Sequence, residues 1–165
     1  MTRKDELLDT LRRSFDGNAW HGPALQDALA DVTADEASWR PAPDVHSIWE
    51  IALHVAGWAE EVASRLQGNT PKEPSSGDWS EVVEPGNADG WADVVQRVFS
   101  ARDSAIAAAL TLEEADLDIM SGTSIDPPLG TGFSRAGLIE GLAQHNAYHT
   151  GQISLLKKMI RSYQV

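Results

Sequence analysis

His145 and His149 stand one helical turn apart in "GLAQHNAYHTGQISLLKK", on the apolar stripe of a segment whose period predicts a helix. Side chains at i and i+4 share a helix face, with Cβ atoms about 6 Å apart. Two imidazoles so placed can point at one ion about 2 Å from each nitrogen. The spacing suits equally well two core histidines, each satisfied by a main-chain carbonyl. A third imidazole, His54 in "HSIWEIALHVAGW", adjoins the apolar stripe of an earlier helix and faces inward by periodicity. A facing helix that brings a third imidazole is what a metal site in a bundle core requires. Gly137 and Gly141 precede the pair at four-residue steps. Glycine costs about 1 kcal/mol relative to alanine inside a helix, so the two either leave room over a site or admit another backbone.

The donor types narrow the chemistry. The chain has no cysteine, which leaves imidazole and oxygen as ligands and removes any protein thiol as nucleophile. "HNAYH" carries Asn146 where a His-Glu-x-x-His protease holds its general base, and no Glu-x-x-His pair of a di-iron bundle is present. Three neutral imidazoles without a carboxylate suit zinc or nickel, and iron next, with positions left open for water or substrate. Gln152, three residues past His149, is placed to orient a ligand or to bond across helices. Glu50, one turn before His54, is accounted for by a capping box with Ser47 and is a second candidate for supporting the ligands. Glu61, two turns after His54, reads as a solvated or interhelical charge. His46 reads as a loop or capping residue at the mouth of the site or in the helix entry, with a ligand role as the alternative, and His21 as surface, packing or the edge of a substrate entrance. Among the tryptophans at 20, 39, 49, 58, 79 and 91, Trp58 reads as core. Trp49 and Trp39 are open to packing or to walling a pocket, and the surplus suits a dimer interface.

The elements that must position these residues are helical almost throughout. "DELLDTLRRSF" places Leu7, Leu8, Leu11 and Phe15 at helical spacing before Gly17. A short helical face follows through Leu25, Leu29 and Val32, with Pro23 at its first turn. Thr33 and Glu36 have the spacing of a capping box. The second long helix runs from the cap Ser47 to the terminator Gly68, with Ile51, Val55, Trp58, Val62 and Leu66 as its stripe. Residues 69–88, rich in proline, glycine, serine and acids, read as a long connection. A third helix spans roughly Asp89–Leu110, with Trp91, Val94, Val95, Val98, Ile106 and Leu110 on or near one side; a capping signal recurs at Thr111 and Glu114, and "SGTSIDPPLGTGF" is a second loop. The final helix spans about Ser134–Arg161. Four long helices with two extended loops predict an all-α four-helix bundle with at least one crossover connection.

Composition sets the outer limits. A chain of 165 residues is read as one domain, 1–165. The formal charge of −12, from 13 Lys+Arg against 25 Asp+Glu, repels phosphate backbones and argues against nucleic acid as a partner. No apolar run approaches the ~18–20 residues that cross a bilayer, and "MTRKDELLDTLRR" lacks the apolar core of a signal peptide. The expectation is a soluble, cytoplasmic protein without a membrane partner.

Together "HSIWEIALHVAGW" and "QHNAYHTGQISLLKK" resemble the DinB/YfiT-like superfamily of four-helix-bundle metalloenzymes, and "AWHGPALQDAL" looks like that family's N-terminal region. The resemblance covers essentially the whole chain and is most specific at the two histidine-bearing helices. By position, it implies a metal triad of His54, His145 and His149. It further implies transfer of a low-molecular-weight thiol to a small electrophile, and a homodimer. Hydrolysis by an activated water, and a bundle that binds metal or ligand without catalysis, are the alternatives.

Overall fold

The computed structural model describes residues 1–122, 126 and 129–163, so 123–125 and 127–128 of the second predicted loop lie outside the described residues. Six α-helices are present among them: α1 (Arg3–Phe15), α2 (Leu25–Leu29), α3 (Ala34–Ser38), α4 (Ile48–Leu66), α5 (Ala88–Leu110) and α6 (Arg135–Tyr163). Hydrogen bonds at the helix starts explain several boundaries. Thr2 with Asp5, Thr33 with Glu36 and Ser47 with Glu50 form reciprocal capping boxes that satisfy orphan main-chain donors. Asn87 caps α5 by accepting from Gly90 N at 2.9 Å. Gly68, at φ +91°, takes the left-handed conformation that ends α4.

Four local expectations change. α1 begins before Asp5 because Thr2 supplies the cap. Pro23 precedes the α2 cap, Ala24, and α2 stops at Leu29, although Val32 is still buried. The capping box expected at Thr111 and Glu114 forms two residues later, between Glu113 and Asp116. Asp116 accepts from Glu113 N at 2.8 Å, while the Thr111 hydroxyl donates to Ala108 O at 2.7 Å. Leu110, on the predicted apolar side of α5, is exposed. One feature without a periodic signal is a two-residue antiparallel pair, β1 (Met120–Ser121) with β2 (Phe133–Ser134), which pairs Met120 with Ser134 and Ser121 with Phe133.

The four long helices form the bundle. α4 packs on α5 and α6, and α1 packs on α6 and α5, which leaves α1/α4 and α5/α6 on the diagonals. Lys4 bonds Leu110 O at 2.8 Å and Arg102 bonds Asp16 at 2.7 Å, so α1 and α5 run antiparallel. Trp49 packs on Trp91 with ring centroids 5.5 Å apart, and Glu60 pairs with Arg97 at 2.8 Å, so α4 and α5 run parallel. A parallel neighbour pair is joined only if the chain returns along the bundle, and residues 67–87 make that return. The core between the helices is sealed by Leu11, Phe15, Ile48, Val55, Val98 and Ile153, all within 1% of fully buried. Each such side chain contributes roughly 1.5–3 kcal/mol by leaving water.

The returning segment lies close against α4 because Gly57 permits it. A Cβ there would sit 3.1 Å from Pro74 Cβ and 3.4 Å from Ser76 Oγ. It is also tied down by a buried ion pair. Arg65 Nε donates to Glu61 Oε1 at 2.9 Å, and the same oxygen accepts from Lys72 N at 2.8 Å. Arg65 reaches Lys72 O at 3.0 Å and Gly130 O at 2.9 Å, anchoring both long loops to the end of α4. Glu61 is thus buried and paired within its own helix, where a solvated or interhelical charge was expected. Its burial is tolerated because Glu61 Oε1 accepts twice and all three guanidinium nitrogens of Arg65 donate.

Candidate metal centre

α4 and α6 run antiparallel, and their facing sides bring His54 against His145 and His149. One ring nitrogen from each lies within 4.8 Å of the others, a group that can hold a metal ion. His54 Nε2 and His145 Nε2 are 3.0 Å apart. Two ligands each about 2.0–2.1 Å from zinc at a tetrahedral angle would be ~3.3 Å apart, so the separation is close to that of ligands sharing one ion.

Hydrogen bonds from the far side of the rings fix which nitrogens face inward. His54 Nδ1 is 2.7 Å from Asp78 O, and a carbonyl only accepts, so Nδ1 carries the proton and Nε2 keeps its lone pair. His149 Nδ1 is 2.7 Å from Gln152 Oε1; with the amide oriented so, Nδ1 again donates and Nε2 is left bare. His145 Nδ1 is buried with no hydrogen-bond partner. Lone pairs facing one another repel unless a proton or a cation lies between them.

The rings are held neutral, which is the form a metal needs. Burial first, then the neighbouring His149 and His54, pushes His145 down to about 3. Burial pushes His149 down to about 4 against the opposing bond from Gln152. His54 is likewise lowered, mainly by burial, with the Asp78 carbonyl opposing. Donor type, spacing, tautomer and charge therefore all fit a divalent ion.

The returning segment supplies the support that spacing on the helices cannot show. Trp79 stacks face to face on His54, centroids 4.0 Å apart at 8°, and on its other side on His46, 3.6 Å apart at 2°. Trp58 Nε1 donates to Asp78 Oδ1 at 2.7 Å, which fixes the residue whose carbonyl holds His54. Asp78 and Trp79 are the residues that sequence reasoning missed, since a loop has no period. Gly57 in mid-helix is the one available hint that a chain passes close by.

The other candidates fall as follows. His46 stacks on Trp79 and reaches Glu50 Oε1 at 3.5 Å, so it touches no ring of the triad directly. Glu50 bonds Ser47 and Arg40, lies 3.5 Å from His46 Nδ1, and makes no hydrogen bond to the three ligand candidates. Its carboxyl stays below the usual range because the bonds from Ser47 and the Arg40 charge outweigh the burial that would raise it. His21 is exposed and is not among the residues lining the cavity beside His54. Trp58 is half-buried and walls that cavity, where a core residue was expected. Trp49 is buried against Trp91, and Trp39 packs near Tyr163.

The model of the DinB superfamily matches residues 19–153, a stretch that contains all three histidines. The chain belongs to the DinB superfamily. No curated protein and no solved structure matches it. DinB membership and the histidine cluster agree on a metal-binding helical protein. Among the described residues no helix is long and apolar enough to cross a membrane.

Proposed function

We propose that this DinB-superfamily protein is a metal-dependent enzyme that transfers a low-molecular-weight thiol to a small electrophile. The ligands are His54, His145 and His149, and the ion is zinc or nickel ahead of iron. The observation that carries the reading is the convergence of three neutral imidazoles, two of them with Nδ1–H already committed behind. A divalent ion held by these three imidazoles would supply Lewis acidity, which lowers the pKa of a thiol towards neutral pH.

The remaining roles belong to the protein. Asp78 and Gln152 select the tautomer that turns Nε2 inward, and Trp79 fixes the plane of His54. The thiol comes from solution, since the chain has no cysteine. Among the described residues, the carboxylates lining the adjoining cavity are Asp78 and Glu140. Asp78 Oδ1 is engaged by Trp58 and lies 3.3 Å from His54 Nδ1, on the ring edge away from the convergence point. A hydrolase needs a base beside its water, so this placement favours thiol transfer. Exposed Trp20, Tyr148 and Leu155 support a homodimer as part of the same proposal.

The test is metal analysis of untagged protein followed by turnover of a generic electrophile, such as 1-chloro-2,4-dinitrobenzene, with and without added thiols. The expected result is stoichiometric metal, lost in His149→Ala, and turnover that requires thiol. Thiol-independent turnover would transfer the assignment to a hydrolase. Absence of metal, together with no stabilisation by zinc or nickel, would leave a bundle without catalysis.

A further inference from the structure

Beside the triad, between α4 and α6, lies a solvent-open cavity of about 590 Å³. His54 and His145 form part of its wall, and the apolar side chains of Trp58, Val62, Leu138 and Leu142 form much of the rest. Its room comes from the two glycines of α6. A Cβ on Gly141 would meet nothing within 4 Å, and one on Gly137 would make only ordinary contacts, 3.4 Å from Phe133 Cβ and 3.6 Å from Ser134 Oγ. Glycine is a poor helix residue, and here it stands where a side chain would project into the cavity.

The charges on the wall have one sign left to offer. Among the described residues Arg65 is the cation on the wall, and its guanidinium is spent on Glu61, Gly130 O and Lys72 O at 2.9, 2.9 and 3.0 Å. The other charged groups there are the carboxylates of Asp78 and Glu140. Without an ion on the triad, an anion carried into this space would lose water and gain no free cation, whereas a flat apolar group would gain indole and aliphatic contacts.

We infer that the cavity is the subsite for the body of the electrophile, an uncharged apolar group of aromatic size, and that Gly141 sets the specificity by leaving the space open. The role of the subsite rests on the enzyme proposed above; the binding does not, because the cavity is formed by protein alone.

The test uses the full chain, both chelated and zinc-loaded, titrated with nitrobenzene and with benzenesulfonate and followed by NMR of the Trp58 indole N–H. In both forms nitrobenzene should bind saturably, and in the chelated form at least tenfold more tightly than benzenesulfonate. Gly141→Leu should weaken nitrobenzene binding tenfold or more, and Gly141→Ala by less, with zinc content unchanged in both. Leucine and alanine favour helix over glycine and the site is open, so the variants should fold. Equal affinity for the two probes in the chelated form, or an unchanged nitrobenzene affinity in Gly141→Leu, overturns the inference. Probe binding without thiol-dependent turnover would leave the subsite and remove the enzyme; turnover without probe binding would do the reverse.

Discussion

Replacing Glu61 by alanine should cost the protein about 3 kcal/mol and loosen the metal centre from a distance. Glu61 and Arg65 are 3% and 2% exposed, so the substitution strands a guanidinium in the interior. Removing one partner of a buried pair costs roughly 3–5 kcal/mol. Arg65 retains two main-chain acceptors, Gly130 O and Lys72 O, which places the expected loss at the lower end. With a urea m-value of about 2 kcal/mol/M, the unfolding midpoint should fall by about 1.5 M. The double variant Glu61→Leu with Arg65→Met removes both charges and should recover at least about 1 kcal/mol relative to Glu61→Ala. The same substitution frees Lys72 N, and with it the segment that carries Asp78 to His54, so zinc affinity should fall as well. Urea unfolding of the three proteins and competitive zinc titration measure both effects. A loss below about 1 kcal/mol, or a double variant no more stable than the single, would refute the reasoning on burial. A stability loss with zinc affinity untouched would refute the link between anchor and site.

Three further outcomes are expected. Trp79→Leu should weaken zinc binding while Trp79→Phe retains most of it, because a phenyl ring can still stack on His54; equal affinity of the two variants would show the stack to be incidental. Gln152→Leu should lower zinc affinity by roughly 10–100-fold, as removal of a ligand's supporting hydrogen bond usually does, read by the same titration. The metal-free protein should lose stability on acidification below about pH 6.5. His145 and His149 titrate in the fold at about 3 and about 4, beneath the ordinary 6.5, so the unfolded chain takes up their protons first. The stabilisation is complete above pH 6.5 and drains away as pH falls towards 4, by up to about 1.4 kcal/mol per pH unit for each ring. Urea midpoints for the wild type and His145→Gln between pH 7.5 and 4.5 check this, and identical slopes would show that the ring is not the source.

The extent to which the site could be read in advance differs residue by residue. His145 and His149 were legible because a helix repeats every 3.6 residues, so spacing alone fixes which face they share. His54 was legible as inward-facing on α4 for the same reason, and Gln152 as a neighbour of His149. Trp58 misled, because its place on the apolar stripe told of the face but not of the cavity beyond it. Glu61 misled likewise: its charge read as solvated or interhelical, and only its partner Arg65, with the two loops they hold, makes its burial tolerable.

The sequence alone determined the helices, most of their caps and the inward placement of three imidazoles, since hydrogen bonds and side-chain periodicity within a helix depend on residues a few positions apart. Tertiary structure decided that α4 and α5 run parallel, that residues 67–87 therefore return across α4, and that Asp78 and Trp79 arrive at His54. It also decided the 3.0 Å meeting of His54 with His145, 91 residues apart along the chain. Contacts at such separation are set by how apolar faces pack and where a glycine such as Gly57 lets a loop approach, and no local repeat encodes them.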